Sequence, residues 1–170
     1  MLNWKTTYVI IQKEVFILRQ PKKGIKRHEA LKPLSQHHMA GLHVALKLSR
    51  AGTDKSRLTI NEIIRDAEVF WVPDGSNHFR EEEDILLPVY AKYEKVDTET
   101  ITNMLVEHVV IRSKMQQLLE KELSVEEMQG LGTLLEKHIR EEERVIFPMI
   151  EQALPEEELC KLAPYLHHDV

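Results

Sequence analysis

One short motif occurs twice in this sequence, at the same register on two predicted helices. It reads histidine, any residue, arginine and three glutamates, then proline after four further residues, and it occupies 78–88 and 138–148. Residues four apart share one face of an α-helix, so Glu82 lies beside His78 and Glu142 lies beside His138. Flanking aliphatic residues centre on that face, which predicts that both pairs point inward. A buried glutamate needs a partner, and such pairs supply nitrogen and oxygen donors for a transition metal.

A simpler interpretation applies to parts of this motif. Runs of glutamate usually form solvated helix faces, and we expect this of the four remaining glutamates, Glu81, Glu83, Glu141 and Glu143. A single inward histidine is more often a hydrogen-bonded core residue than a ligand. The repetition of the pair at one register is what favours a metal site over that interpretation.

The bulk composition limits the class of protein. A chain of 170 residues with 42% hydrophobic and 30% charged residues predicts one soluble globular domain. The net charge of −5 argues against nucleic acid as the main partner, and no apolar run approaches the ~20 residues of a membrane span. The single cysteine, Cys160, excludes an internal disulfide framework and favours a reducing, cytoplasmic location, and we give it no catalytic role. The oligomeric state is left open.

The first 24 residues differ from the rest of the chain. Two apolar runs, 8–11 and 15–18, are separated by charged residues, which is a poor pattern for a signal peptide. A strand pair, a docked helix and a disordered extension are all compatible with this segment. Pro21, Lys22, Lys23 and Gly24 read as a linker, so we predict an N-terminal extension over 1–24 and a functional domain over 25–170.

The domain is predicted to be all-α, an up-down four-helix bundle with a short fifth helix. The helices are expected from Pro33 or Ser35 to Ser49, from Leu58 to Tyr93, from Thr98 to Glu122, from Ser124 to Ala153, and from Pro155 onward. The second helix should kink or end at Val72–Ser76, where Asp74 or Ser76 could cap a new start.

Two further inward histidines complete the predicted donor set. On the first helix His38 lies near the centre of the apolar side, whereas His37 lies toward its edge and His43 points away. On the third helix His108 falls within the apolar stripe, and Arg112 one turn later needs an anionic partner. Four imidazoles and two bridging carboxylates suit two metal ions, and they favour iron, manganese or zinc over calcium or magnesium. The predicted donors are His38, His78, Glu82, His108, His138 and Glu142.

The ordered set resembles the haemerythrin family, specifically the bacterial haemerythrin-like, or HHE cation-binding, proteins, over about residues 27–165. The matching stretches are 34–38, 70–71 with 78–82, 107–108, and 138–142 with 147–148. The resemblance implies a haemerythrin-like four-helix bundle with a non-haem di-iron centre that binds dioxygen or related small molecules. It also implies that the four histidines are terminal iron ligands and that Glu82 and Glu142 bridge the irons with a solvent-derived oxygen.

Two departures from the oxygen-carrying members argue against reversible oxygen transport. Those members place a second histidine four residues after the one on the third helix, where this chain has Arg112. They also end the last motif with an aspartate spaced five from its histidine, whereas Glu142 is spaced four. The donor set is more similar to that of haemerythrin-like iron sensors.

Three functions are compatible with these residues. The leading one is a di-iron protein that binds or senses dioxygen, peroxide, nitric oxide or iron, with a small molecule as its partner. The second is a di-iron oxidoreductase or an iron–sulfur cluster repair protein. The third is a helical interaction module whose metals are structural. No catalytic residue is assigned, and whether the chain is an enzyme is left open.

Overall fold

The computed structural model describes residues 26–166, which form helices joined by short connections and contain no strand. A 3-10 turn, Glu29–Leu31, leads into five helices. We label them α1 (Lys32–Ser49), α2 (60–90), α3 (Glu99–Leu119), α4 (125–153) and α5 (Glu156–Leu162). The all-α class and the helix order confirm the prediction. The extension predicted for 1–24 lies outside the described residues.

The four long helices form an up-down bundle. Helix α1 packs against α2 and α4, and α3 packs against the same two helices. The connections 50–59, 91–98 and 120–124 are short, so consecutive helices are antiparallel. The short α5 and the turn after it cover one end of the bundle through Leu159, Leu162 and Leu166, all of which are buried. None of the helices within 26–166 is both long and apolar enough to cross a membrane.

Side-chain caps fix where three of the long helices begin. Thr59 and Ser124 each accept a hydrogen bond from the backbone three residues on, where a glutamate bonds back, and these capping boxes start α2 and α4. Thr98 caps α3 in a similar way, through its hydroxyl oxygen and the backbone of Ile101. The capping box at Ser124 was readable from the sequence.

The predicted interruption of α2 at Val72–Ser76 is present as a change of helix type, but the helix does not end there, and the expected new start capped by Asp74 or Ser76 is wrong. The chain passes from Ile60–Phe70 through a wide π-helical turn, Trp71–Gly75, directly into Ser76–Arg80, with no side-chain cap at Gly75. Proline lacks a backbone N–H, so Pro73 is tolerated where the hydrogen-bond spacing changes from four to five residues. Helix α2 therefore continues as one element, and His78 lies in its interior.

Two further π turns occur at the repeated motif. They are Glu81–Leu86 in α2 and Glu142–Ile146 in α4, followed by Leu87–Tyr90 and Phe147–Ala153. In a regular α-helix the ring of a proline clashes with the carbonyl four residues earlier. For Pro88 and Pro148 that carbonyl lies inside the π turn, so the prolines of the motif account for the position of the wide turns.

The bundle has two apolar cores separated by a polar layer. One core is built around Leu48, Ile63, Ile111 and Leu135, and the other around Leu31, Leu86, Ile101 and Ile146. The buried polar residues of α1 to α4 fall between the two sets along each helix: His38, His78, Glu82, His108, His138 and Glu142. The apolar cores therefore hold the polar layer away from bulk water.

Close packing between α1 and α4 depends on Gly132. A Cβ atom added there would lie 2.5 Å from the backbone nitrogen of Ser49 and 2.6 Å from the carbonyl oxygen of Ala45. Backbone cannot move aside as a side chain can, so Gly132→Ala should lower the free energy of unfolding by about 1–3 kcal/mol. Gly130→Ala is the matched control, because nothing lies within 4 Å and alanine favours a helix. Urea denaturation of both variants measures the difference, and equal stabilities would contradict the packing argument.

Candidate metal centre

The six donors predicted from the sequence lie together in the polar layer. Each is at most 3% exposed, and they come from four different helices. Their ligand atoms fall into two groups, each within 4.8 Å, one of His38, His78, Glu82 and Glu142 and one of His108, His138 and Glu142. The structure therefore brings together the six side chains that the helical periodicity of the sequence predicted to point inward.

The four imidazoles form two pairs. The Nε2 atoms of His38 and His78 approach to 2.8 Å. The rings of His108 and His138 meet edge to face, with their centroids 4.8 Å apart. Each pair thus joins histidines from consecutive antiparallel helices, one pair within the α1–α2 hairpin and the other within the α3–α4 hairpin.

Each buried glutamate extends across both histidine pairs. Oε1 of Glu82 lies 3.5 Å from Nε2 of His78, and its Oε2 lies 3.4 Å from Nε2 of His108. Oε2 of Glu142 lies 3.1 Å from Nε2 of His38, and its Oε1 lies 3.1 Å from Nε2 of His138. Each carboxylate therefore offers one oxygen to each pair, which is the arrangement of a carboxylate bridge between two cations.

The layer fits a metal because several of its buried polar atoms lack a hydrogen-bond partner. Both oxygens of Glu82, Oε2 of Glu142 and Nε2 of His138 are buried without a well-formed hydrogen bond. Buried groups of this kind are costly unless a partner compensates them. Imidazole nitrogens and carboxylate oxygens converging on one point are the donors that a transition metal takes.

Outer carboxylates fix the orientation of two of the histidines. Nδ1 of His38 lies 2.7 Å from Oε1 of Glu143, and Nδ1 of His108 lies 2.7 Å from Oε1 of Glu83. A carboxylate can only accept, so each Nδ1 carries a proton, and in the neutral ring the lone pair of Nε2 is available to a metal at the centre. Partners of this type hold metal-binding histidines in the required tautomer.

The expectation that Glu83 and Glu143 are solvated is wrong. Their side chains are 24% and 14% exposed, and both face the layer. The π turns explain the difference, because a turn with hydrogen bonds between residues five apart separates consecutive side chains by less than the ~100° of an α-helix. The glutamate after each bridging candidate is thereby turned inward as well.

Two arginines extend these contacts outward. Arg112 donates to both oxygens of Glu83 at 2.9 Å, which confirms the predicted anionic partner on a neighbouring helix. Arg27 was not singled out from the sequence; it donates to Glu143 at 2.7 Å and to Glu151 at 3.2 Å. The two arginines lie over the rings of Phe79 and Phe147, at 5.3 Å and 5.0 Å from the centroids. Two chains of arginine, glutamate and histidine therefore lead to the layer, and in each the glutamate comes from one hairpin and the histidine from the other.

The remaining two histidines have different neighbours. Nδ1 of His138 lies 3.0 Å from Oε2 of Glu107, which the sequence analysis quoted only as part of a motif. The corresponding position in the first hairpin is His37, whose ring stacks on His78 with centroids 4.5 Å apart. His37 is thus half-buried rather than a surface residue, whereas His43 is exposed as expected. A carboxylate directly before an inward histidine was the available signal for Glu107.

Burial and charge shift the pKa of several groups in opposite directions. Burial and the neighbouring Glu142 raise the pKa of Glu82, whereas histidines outweigh burial and hold the pKa of Glu142 well below its usual range. Burial opposes the imidazolium of His38, but the carboxylates beside it raise its pKa to about 8. The same balance raises the pKa of His138 to about 9. Protons therefore occupy the layer in the metal-free chain, and a metal ion must displace them.

Comparison with known proteins bears directly on this geometry. The family model described as Hemerythrin HHE cation binding domain matches residues 29–150. The chain belongs to this family. No curated protein and no solved structure gives a match. Family membership, together with the buried histidine and glutamate groups, indicates a metal-binding protein.

The outer glutamates provide a test of the layer. Glu83→Gln removes the charge that holds His108 and Arg112, so metal affinity should fall by about 10–100-fold. The control is Asp84→Asn, which removes an exposed carboxylate from the same π turn. Competition against a chromophoric chelator measures both affinities. Unchanged affinity in Glu83→Gln would mean that this carboxylate is no more than a surface group.

Proposed function

We propose that the chain holds two iron ions in a non-haem di-iron centre that binds or senses dioxygen or a related small molecule. In this proposal His38 and His78 hold one iron, His108 and His138 hold the other, and Glu82 and Glu142 bridge them. The observation that carries the proposal is the orientation of the two carboxylates, each with one oxygen toward each histidine pair.

The protein residues supply the surroundings in which such a centre can work. When bound in its reduced state, the iron pair supplies two electrons to a small molecule. Glu143, Glu83 and Glu107 keep the proton on Nδ1 of three histidines, so Nε2 stays free to donate. The apolar cores on both sides exclude water from the layer, and the two bridging carboxylates offset the charge of the cations.

The donor count favours sensing or reaction over reversible transport. Six protein donors shared by two ions leave coordination positions open for a small molecule. Arg112 cannot fill one of them, because a guanidinium has no acceptor atom and this one is bound to Glu83. The same open positions support the second candidate function, a di-iron oxidoreductase or an iron–sulfur cluster repair protein.

Anaerobic titration with ferrous iron tests the proposal. We expect uptake to end at two irons per chain, and we expect the ultraviolet–visible spectrum to change when oxygen is admitted. A slow, single conversion supports sensing, whereas repeated turnover with a reductant and peroxide supports the oxidoreductase. Uptake without any response to oxygen supports structural metals, and failure to bind iron above background after reconstitution overturns the di-iron proposal.

A further inference from the structure

A solvent-open groove of about 410 Å³ runs along α1 and α4 on one side of the polar layer. His38, Glu143 and Arg27 form its buried part, and Lys32, Arg140 and Arg144 lie around its opening. His38 is the one candidate ligand that lines this groove. The groove therefore connects solvent with the outer side of the candidate metal centre.

The groove carries an excess of positive charge. It is lined by four cationic side chains and one carboxylate, in a chain whose net charge is −5. That carboxylate, Glu143, is already bound by Arg27 at 2.7 Å and by His38 at 2.7 Å. A free metal cation is repelled from such a surface, whereas an anion is attracted to it.

The cations at the opening are only weakly engaged by the protein. Arg140 lies 3.6 Å from Glu136, and the two side chains are 46% and 53% exposed, so this ion pair is weak. Lys32 pairs with Glu29 at an exposed position. Arg144 is exposed, and among residues 26–166 no carboxylate pairs with it. Three cations at the opening thus retain donors for an external ligand.

Comparison of the two repeats shows that the fold does not require this charge. Arg140 corresponds to Arg80 in the first motif, but Arg144 corresponds to Asp84. The π turn of α2 accommodates an aspartate at the register where the π turn of α4 has an arginine. The positive charge of Arg144 is therefore a local feature of the groove.

We propose that this groove is a binding site for a small oxyanion, either inorganic phosphate or a carboxylate. The guanidinium groups of Arg140 and Arg144 offer paired N–H donors that match the oxygens of both ligands, and Lys32 adds a point charge. An anion bound there lies beside Glu143 and covers the side of His38 that faces the groove. The site is separate from the proposed bridging ligands and does not depend on which metal occupies the layer.

Isothermal titration of the full, metal-loaded chain at low ionic strength tests this site, with inorganic phosphate in one series and acetate, a carboxylate that chelates iron only weakly, in another. Saturable binding of one or both is expected, and the tighter of the two identifies the source of the oxyanion. Arg144→Asp should weaken that binding by about tenfold or more, because at least one charge-assisted hydrogen bond is lost. The matched control is Arg80→Asp, which changes the net charge equally at a position outside the groove and should leave the affinity nearly unchanged.

Two outcomes overturn the proposal. One is the absence of saturable binding of either anion to the unaltered chain. The other is an equal loss of affinity in Arg144→Asp and Arg80→Asp, which would reflect net charge rather than the groove. Metal content measured on the same samples keeps the two proposals apart, since none of the three cations at the opening belongs to the proposed ligand set.

Discussion

Glu82→Gln is expected to lower bound iron from the proposed two ions per chain to one or none. The carboxylate of Glu82 lies 3.5 Å from Nε2 of His78 and 3.4 Å from Nε2 of His108, so it serves both histidine pairs. Glutamine keeps the volume but removes the charge that offsets two cations. Loss of the Glu82 carboxylate should therefore reduce iron binding more than loss of one terminal imidazole does.

The metal-free form should respond in the opposite direction. Burial and the proximity of Glu142 raise the pKa of Glu82, which shows that its charged form is unfavourable without a metal. Removing that carboxylate should leave the melting temperature of the metal-free chain unchanged or higher. The stabilisation gained on adding iron should shrink or vanish.

Iron stoichiometry and thermal unfolding with and without iron check both expectations. Glu81→Gln is the neighbouring control, because Glu81 is not among the converging donors. It should retain two irons and the full metal-dependent stabilisation. If Glu82→Gln also retains both, the carboxylate does not bridge.

Much of the layer was predictable because helical periodicity and burial are simple rules. His38, His78 and His108 lie where the apolar faces of their helices predicted, and all three are buried. The His-x-x-x-Glu pair occurs at the same register in two hairpins of similar length. The pair on α2 and the pair on α4 were therefore expected at the same height along the bundle. The family assignment rests on that same ordered set, and the match over 29–150 confirms it.

Other features could not be predicted from the sequence, because they depend on a backbone that departs from a regular α-helix. The π turns at Glu81–Leu86 and Glu142–Ile146 rotate Glu83 and Glu143 inward, against the phase that a regular helix gives. Prolines ten residues after each motif histidine were the one sequence signal for these turns.

Contacts between segments that are distant in the chain could not be predicted from the sequence either. Arg27 precedes α1 by several residues, yet it is 7% exposed and joins Glu143 and Glu151 of α4. Only the three-dimensional packing shows that its position mirrors that of Arg112. The pseudo-symmetry of the layer therefore extends past the repeated motif, through residues that have no sequence repeat.

His38→Ala should leave the chain with one iron instead of the proposed two. His38 belongs to the group with His78, Glu82 and Glu142, whereas His108 and His138 belong to the other. Loss of one imidazole leaves the first group with a single nitrogen donor, while the second keeps both of its nitrogens. The remaining ion should be held by the α3 and α4 histidines, and the oxygen-dependent spectral change of a coupled iron pair should disappear.

Two neighbouring histidines on α1 provide matched controls for this variant. His43→Ala removes an exposed ring and should change neither iron content nor melting temperature. His37→Ala removes a ring that stacks on Phe70 and His78, so it should lower the melting temperature by a few degrees yet retain two irons. Iron analysis of the three variants after identical anaerobic reconstitution decides between them. If His38→Ala retains two irons and His37→Ala loses iron, the ligand on α1 is His37 rather than His38. That result would reject the proposed pairing of His38 with His78.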